Sequence, residues 1–107
     1  MEIKKRNKLN KQLKEFIKQR QKGKCVCCDS QEKKEYHHVN PICLGGKDSS
    51  INIVMLCSNH HKLLHLADPY TCIKIYEYVY YLYYRKLPDN PCELLNDENF
   101  INIIKKD

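Results

Sequence analysis

No run of apolar residues in this chain approaches the twenty or so needed to cross a bilayer, so no membrane-spanning helix is expected. The N-terminal stretch MEIKKRNKLNKQLKEF has basic residues but no apolar segment behind them. It therefore does not read as a secretory signal, and a cytoplasmic protein is the expectation. Internal repeats and low-complexity linkers are also missing, so the 107 residues read as one domain with a modest core. The most informative gap concerns histidine. Outside the stretch Tyr36 to His65 there is none, whereas that stretch holds His37, His38, His60, His61 and His65.

Seven cysteines in a chain expected to stay reduced need an explanation other than disulfides. Their number is odd, and Cys25-x-x-Cys28 together with Cys57-x-x-His60 has the spacing of a metal framework. A turn that brackets two residues lets the thiolates of Cys25 and Cys28 reach one ion, with Cys27 between them as a spare thiol.

The net charge of +6 is unevenly spread. Residues 1–24 carry ten Lys or Arg against two Glu, a local charge of +8, and the other 83 residues sum to −2. A basic segment beside a cluster of imidazoles points to a polyanionic partner, nucleic acid above all. The bland counterpart is a solvated helix face. The Lys, Asn, Ile and Tyr bias is that of an AT-rich genome, bacterial or phage.

Leu9, Leu13, Phe16 and Ile17 form one apolar stripe at helical spacing, so a helix is expected from about Lys4 to Gln21. Lys5, Lys8, Lys11, Lys14 and Lys18 would then project outward to contact phosphates. A short strand is expected over 34–39, a reversal at Gly45-Gly46, and a second strand over 51–56 closed by Cys57. A helix capped by Ser58 should follow to about Ala67. Asp68-Pro69 reads as the start of another helix, which carries seven of the eight tyrosines. Its Cys72, Ile73, Tyr76, Val79, Tyr80 and Tyr83 are expected on one face, and Ile75, Tyr78 and Leu82 on the other. Packing on two sides, with a homodimer surface, is favoured there over base stacking. Pro88 and Pro91 should break this helix, and Asp97 could cap a last short one through Lys105.

His61 and His65 are four apart on the expected helix, so their imidazoles share one face and can chelate one ion. With His37 as third ligand the site keeps an open position, the catalytic arrangement rather than the structural one. His38, adjacent on the strand, points differently and can act as a general base.

These residues carry a family resemblance. The segment Cys25 to His65, 41 of the 107 residues, resembles the HNH endonucleases. The match rests on Cys25-x-x-Cys28, His37-His38-x-x-Pro41, Gly45-Gly46, Asn52, Leu56-Cys57 and His61-x3-His65. It implies an α+β fold with a small ββα-metal core and a zinc knuckle over 25–67. A basic helical arm (1–24) and a Tyr-rich helical extension (68–107) would flank that core. It further implies His37, His61 and His65 as ligands of a catalytic ion, His38 as the base, and Asn52 as a brace of the hairpin that orients the base. DNA would be cut to 5′-phosphate and 3′-hydroxyl ends. Many members have Asp at the position of His37, and an all-imidazole set favours a transition ion such as Zn, Mn or Ni over Mg. Many also close the zinc site with a fourth Cys. Here Cys25, Cys28, Cys57 and His60 are expected to hold structural zinc. The alternative register, with His61 on zinc and His60 in the catalytic set, fits the four-residue spacing less well. A zinc-stapled nucleic-acid-binding module without catalysis is the rival function.

Overall fold

The computed structural model describes residues 9–106, so the expected contacts of Lys5 and Lys8 lie outside the described residues. Its centre is an antiparallel hairpin of strands β1 (Lys34–His38) and β2 (Ile53–Cys57). Helix α1 (Lys11–Arg20) precedes the hairpin, and α2 (Ser58–His65), α3 (Pro69–Tyr84) and α4 (Glu98–Lys106) follow it. Short 3₁₀ helices occupy Ile42–Leu44 and Pro91–Asn96. The fold is α+β, with a ββα unit formed by β1, β2 and α2. No helix among the described residues is long and apolar enough to cross a membrane.

The register sorts the hairpin into two faces. Glu35 pairs with Leu56 and His37 with Val54, whereas Tyr36 pairs with Met55 and His38 with Ile53. Residues directly opposite in an antiparallel pair share a face. Val54 and Leu56 therefore enter one core with Ile75, Val79, Leu94, Phe100 and Ile104. Ile53 and Met55 enter a second with Ile17, backed by Leu9, Leu13 and Tyr36. Strand β2 is the layer between these cores, which is why it reads as an unbroken apolar run. Each such side chain contributes about 1.5–3 kcal/mol on full burial.

The outer edge of β2 is closed by side chains at the end of α1. Gln21 Nε2 donates to the Met55 carbonyl at 3.0 Å, and the Met55 N–H donates to Gln21 Oε1 at 2.9 Å. Arg20 donates from Nη1 to the Ser50 carbonyl at 2.6 Å and from Nη2 to the Ile53 carbonyl at 2.9 Å. These bonds satisfy backbone groups that a sheet edge otherwise leaves open.

Several boundaries differ from the sequence reading, each for a local reason. Helix α1 starts at Lys11 because Asn10 caps it, its Oδ1 accepting from Gln12 N–H at 2.7 Å. Phe16 is not part of the buried stripe; it is 54 % exposed, with the Arg20 guanidinium 5.7 Å from its ring. Strand β2 begins at Ile53 because Asn52 is committed to the preceding loop. The cap of α2 is Cys57 rather than Ser58: its sulfur accepts from the His60 N–H, and Ser58 is already helical. Asp68 caps α3 as expected, accepting from Thr71 N–H at 3.0 Å. The buried line of α3 is Thr71, Ile75, Val79 and Leu82, which cuts across the two expected faces. Tyr76, Tyr78, Tyr80 and Tyr83 pack beside that line, and Tyr70, Tyr81 and Tyr84 stay exposed. Arg85 ends the helix in a left-handed conformation before either proline is reached.

Candidate metal centres on the hairpin and its helix

Cys25 and Cys28 approach from the turn after α1, Cys57 from the end of β2, and His60 from the first turn of α2. Their ligand atoms all lie within 4.8 Å of one another. Cys57 Sγ is 3.2 Å and Cys25 Sγ 3.8 Å from His60 Nδ1, and Cys28 Sγ is 3.8 Å from Cys57 Sγ. Zinc bonds of about 2.3 Å to sulfur and 2.0 Å to nitrogen give a tetrahedron with edges of about 3.5–3.8 Å. The four donors fit that ion, and a Cys₃His set is the chemistry of structural zinc. Burial opposes ionisation of Cys25, yet backbone N–H groups around it outweigh that and lower its thiol. Cys27 behaves oppositely. Burial, joined by the neighbouring thiols, pushes it up to about 12, and its sulfur faces the Thr71 carbonyl at 3.9 Å. It is a packed thiol outside the cluster.

A second group forms on the face of β1 that meets α2. The ring of His37 lies 5.5 Å from that of His61 and 6.3 Å from that of His65 between centroids. His61 and His65 are 4.8 Å apart by the same measure, and their Nε2 atoms are 3.2 Å apart. Two nitrogens at that separation suit neighbouring positions on one ion, but His37 stands further off. Among the described residues, the Cys₃His set alone brings three or more such donors within 4.8 Å of one another. Burial first, then the nearby charges of His61 and His65, lowers His37 to about 4. It is therefore neutral at neutral pH, as a ligand must be. Glu35, also on this face, hydrogen-bonds His61 Nδ1 through its carboxylate. That contact leaves Nε2 of His61 as the nitrogen directed at His65.

His38 is not with this trio. Strand alternation sends it to the opposite face, where the residue is only 8 % exposed and its Nε2 lies 2.6 Å from Asp48 Oδ1. Asn52, also buried, ties the loop between the strands together. Its Oδ1 accepts from the Asn40 N–H at 2.7 Å, and its Nδ2 donates to the carbonyls of Asn40 and Lys47 at 3.1 and 2.9 Å. Gly46 lets the same loop close, since a Cβ there would fall 1.7 Å from the Asn40 carbonyl oxygen.

Of the expected phosphate contacts, Lys11 and Lys18 are exposed on α1, and Lys14 holds its Nζ 5.7 Å from the centre of the Tyr36 ring. A cleft of about 290 Å³ beside them is lined by Lys18, Lys33, Lys34 and Tyr36 among others. Sequence reasoning missed Glu35, Asp48, Arg20 and Gln21. Glu35 carried a usable signal, because two residues before His37 on a strand is the same face. Asp48 carried none, since no period fixes where a loop residue points.

No family model matches the chain. Over 64 residues it is 38% identical to the type IV methyl-directed restriction enzyme EcoKMcrA of Escherichia coli (strain K12). The matched stretch is 51% of this chain and 23% of that enzyme, so the chain spans about a quarter of the relative's length.

Proposed function

We propose that this chain is a metal-dependent endonuclease of the HNH kind, which hydrolyses DNA phosphodiester bonds to 5′-phosphate and 3′-hydroxyl ends. The observation that carries the reading is the adjacency of the His37, His61 and His65 rings, with the His61 and His65 Nε2 atoms 3.2 Å apart, separate from a complete Cys₃His set. A binding module stapled by zinc has no use for a second imidazole cluster. The partial likeness to a restriction enzyme supports the same class.

In this reading His37, His61 and His65 hold one divalent ion, with Zn and Ni preferred by their nitrogen donors over Mn and Mg, which favour oxygen. A bound ion there supplies Lewis-acid stabilisation of charge on phosphorus and on the leaving 3′-oxygen. His38 is given the role of base by its place in the motif, although the strand turns it to the face opposite the trio, and Asn52 keeps the loop beneath it in shape. Glu35 fixes the ring of His61. Cys25, Cys28, Cys57 and His60 hold structural zinc, which ties the turn after α1 to the strand and helix that carry the site. Lys11, Lys14 and Lys18, with Lys5 and Lys8 of the same basic segment, contact backbone phosphates without reading sequence.

The test is elemental analysis joined to a supercoiled-plasmid assay in Zn²⁺, Mn²⁺, Ni²⁺ and Mg²⁺. Two metal equivalents and strand scission support the nuclease. One tightly held zinc with DNA binding but no scission supports the non-catalytic module instead.

A further inference from the structure

Phe16 is the large apolar side chain of α1 that the fold leaves exposed, and it lines a cleft of about 460 Å³. Arg20 of the same helix, Ile51 before β2, and Leu82 and Arg85 at the end of α3 line it too. We propose that this cleft holds one unstacked nucleobase of a DNA strand, its ring laid against Phe16 and its phosphate met by Arg85. A single strand, or a gap in a duplex, would present such a base. The proposal rests on the reading of the chain as a DNA-binding protein but not on cleavage, and it uses no residue of either metal centre.

The walls select that occupant. Leu82 is buried and Ile51 partly buried, so they form an apolar floor, and Phe16 adds a flat aromatic face. An aromatic platform beside cationic groups is how proteins hold single-stranded nucleic acid, stacking serving the base and charge the phosphate. Arg85 is exposed, and among the described residues no carboxylate pairs with it. No residue lining the cleft is acidic; Glu15, which accepts from Gln19 Nε2 at 3.3 Å, is not part of the wall. A cationic ligand would meet two guanidinium groups with nothing to neutralise it. An apolar peptide anchor would suit the floor but leave Arg85 without a purpose.

The platform is also set in advance. The Arg20 guanidinium lies 5.7 Å from the centre of the Phe16 ring and 5.5 Å from that of Tyr78. Its Nη1 and Nη2 donate to the Ser50 and Ile53 carbonyls at 2.6 and 2.9 Å. A cation pinned in that way steadies the ring beside it, so stacking a base costs little further side-chain entropy. Arg85 is placed by the left-handed end of α3, with its N–H donating to the Tyr81 carbonyl at 2.8 Å. Phe16 and Lys18 are about 200° apart around α1. The cleft and the row of Lys11, Lys14 and Lys18 therefore occupy different flanks of one helix. A strand crossing the exposed side of α1 meets phosphate contacts on one flank and the base site on the other. Every base has a π face, so the site has no sequence preference.

The experiment uses the full chain, zinc-loaded, with oligothymidylate and a perfect duplex as probes at one salt concentration. Phe16→Leu should weaken single-strand binding by about 5- to 150-fold and leave duplex binding unchanged. Phe16→Tyr should restore it. Arg85→Gln should lower the salt slope of log K for the single strand by about 0.7, the value for one phosphate. Oligothymidylate carrying one 5-iodouracil should, on irradiation, crosslink to the peptide that contains Phe16. Phe16 is exposed, so its variants should fold, and equal urea midpoints check this. Single-strand affinity within twofold of the parent in Phe16→Leu would overturn the proposal, as would crosslinks confined to other peptides. A parent that binds no single strand overturns it as well, even if it cuts duplex plasmid. A parent that crosslinks at Phe16 but cuts no plasmid in any metal supports the base site, and the nuclease reading alone then fails.

Discussion

Asn52 and Asn40 are locked together across the loop of the hairpin. The Asn52 side chain accepts from the Asn40 N–H at 2.7 Å and donates to the Asn40 carbonyl at 3.1 Å. One amide thus satisfies both backbone groups of a buried residue and reaches the Lys47 carbonyl as well. Asn52→Ala leaves all three groups without that partner, at about 1–3 kcal/mol for each one that water cannot reach. A fall of about 3 kcal/mol in urea unfolding is expected. Gly46→Ala should cost about 4 kcal/mol or more, because its Cβ would collide with the Asn40 carbonyl. A change below about 1 kcal/mol in either variant would contradict the role given to this lock.

The Cys₃His set makes a prediction about metal and stability together. Cys57 offers one of the four donor atoms and also caps α2, so Cys57→Ser should lose the structural zinc equivalent and soften the helix start. A destabilisation of about 2 kcal/mol alone corresponds to roughly 8–16 °C in a domain of this size, and the fall in Tm should exceed that range. Cys27→Ser is the control. It should keep the parental zinc content, because Cys27 faces Thr71 instead of the cluster.

How much of this was legible in advance follows from what periodicity can and cannot encode. The four-residue spacing of His61 and His65, and the alternation that separates His37 from His38, are direct products of helix and strand geometry. The Asp68 cap was legible for the same reason, being a local backbone signal. The closing of the β2 edge was not: Gln21 and Arg20 reach more than thirty residues along the chain, and nothing local announces it. The buried line of α3 was misassigned because nearly every position is apolar or aromatic. Only the placement of β2 and α4 decides which of them are covered.

The pH response of His37 has a definite sign. Its folded pKa, about 4, lies below the ordinary 6.5 because burial disfavours the charged ring. Between those values the unfolded chain binds a proton that the folded chain does not, so stability rises with pH across the window. Protein with zinc in the Cys₃His site alone should therefore lose stability as pH falls from about 6.5 to 4. His37→Gln should flatten part of that slope in urea titrations. An unchanged slope would show that His37 is not the group responsible.

Arg20 and the α1 lysines should separate cleanly despite sharing a charge. Arg20 is spent on two carbonyls and lies between the rings of Phe16 and Tyr78. Arg20→Ala should cost about 3 kcal/mol of stability. Lys11→Ala and Lys18→Ala, both at exposed positions, should leave stability within about 0.5 kcal/mol. Each should weaken DNA binding and reduce the salt dependence of log K by about 0.9 for every phosphate that is no longer neutralised. Filter binding across a salt series checks this, and unchanged slopes would remove α1 from the interface.

The most direct measurement of the central claim is plasmid nicking by the parent and by His38→Ala, with metal content determined on the same samples. The parent should cut supercoiled DNA only with a divalent ion. His38→Ala should keep both metal sites and the fold while its rate falls by about 10²- to 10⁴-fold. A variant that cuts as fast as the parent, or a parent that binds DNA with one zinc and never cuts it, would contradict the assignment of a nuclease site with His38 as its base.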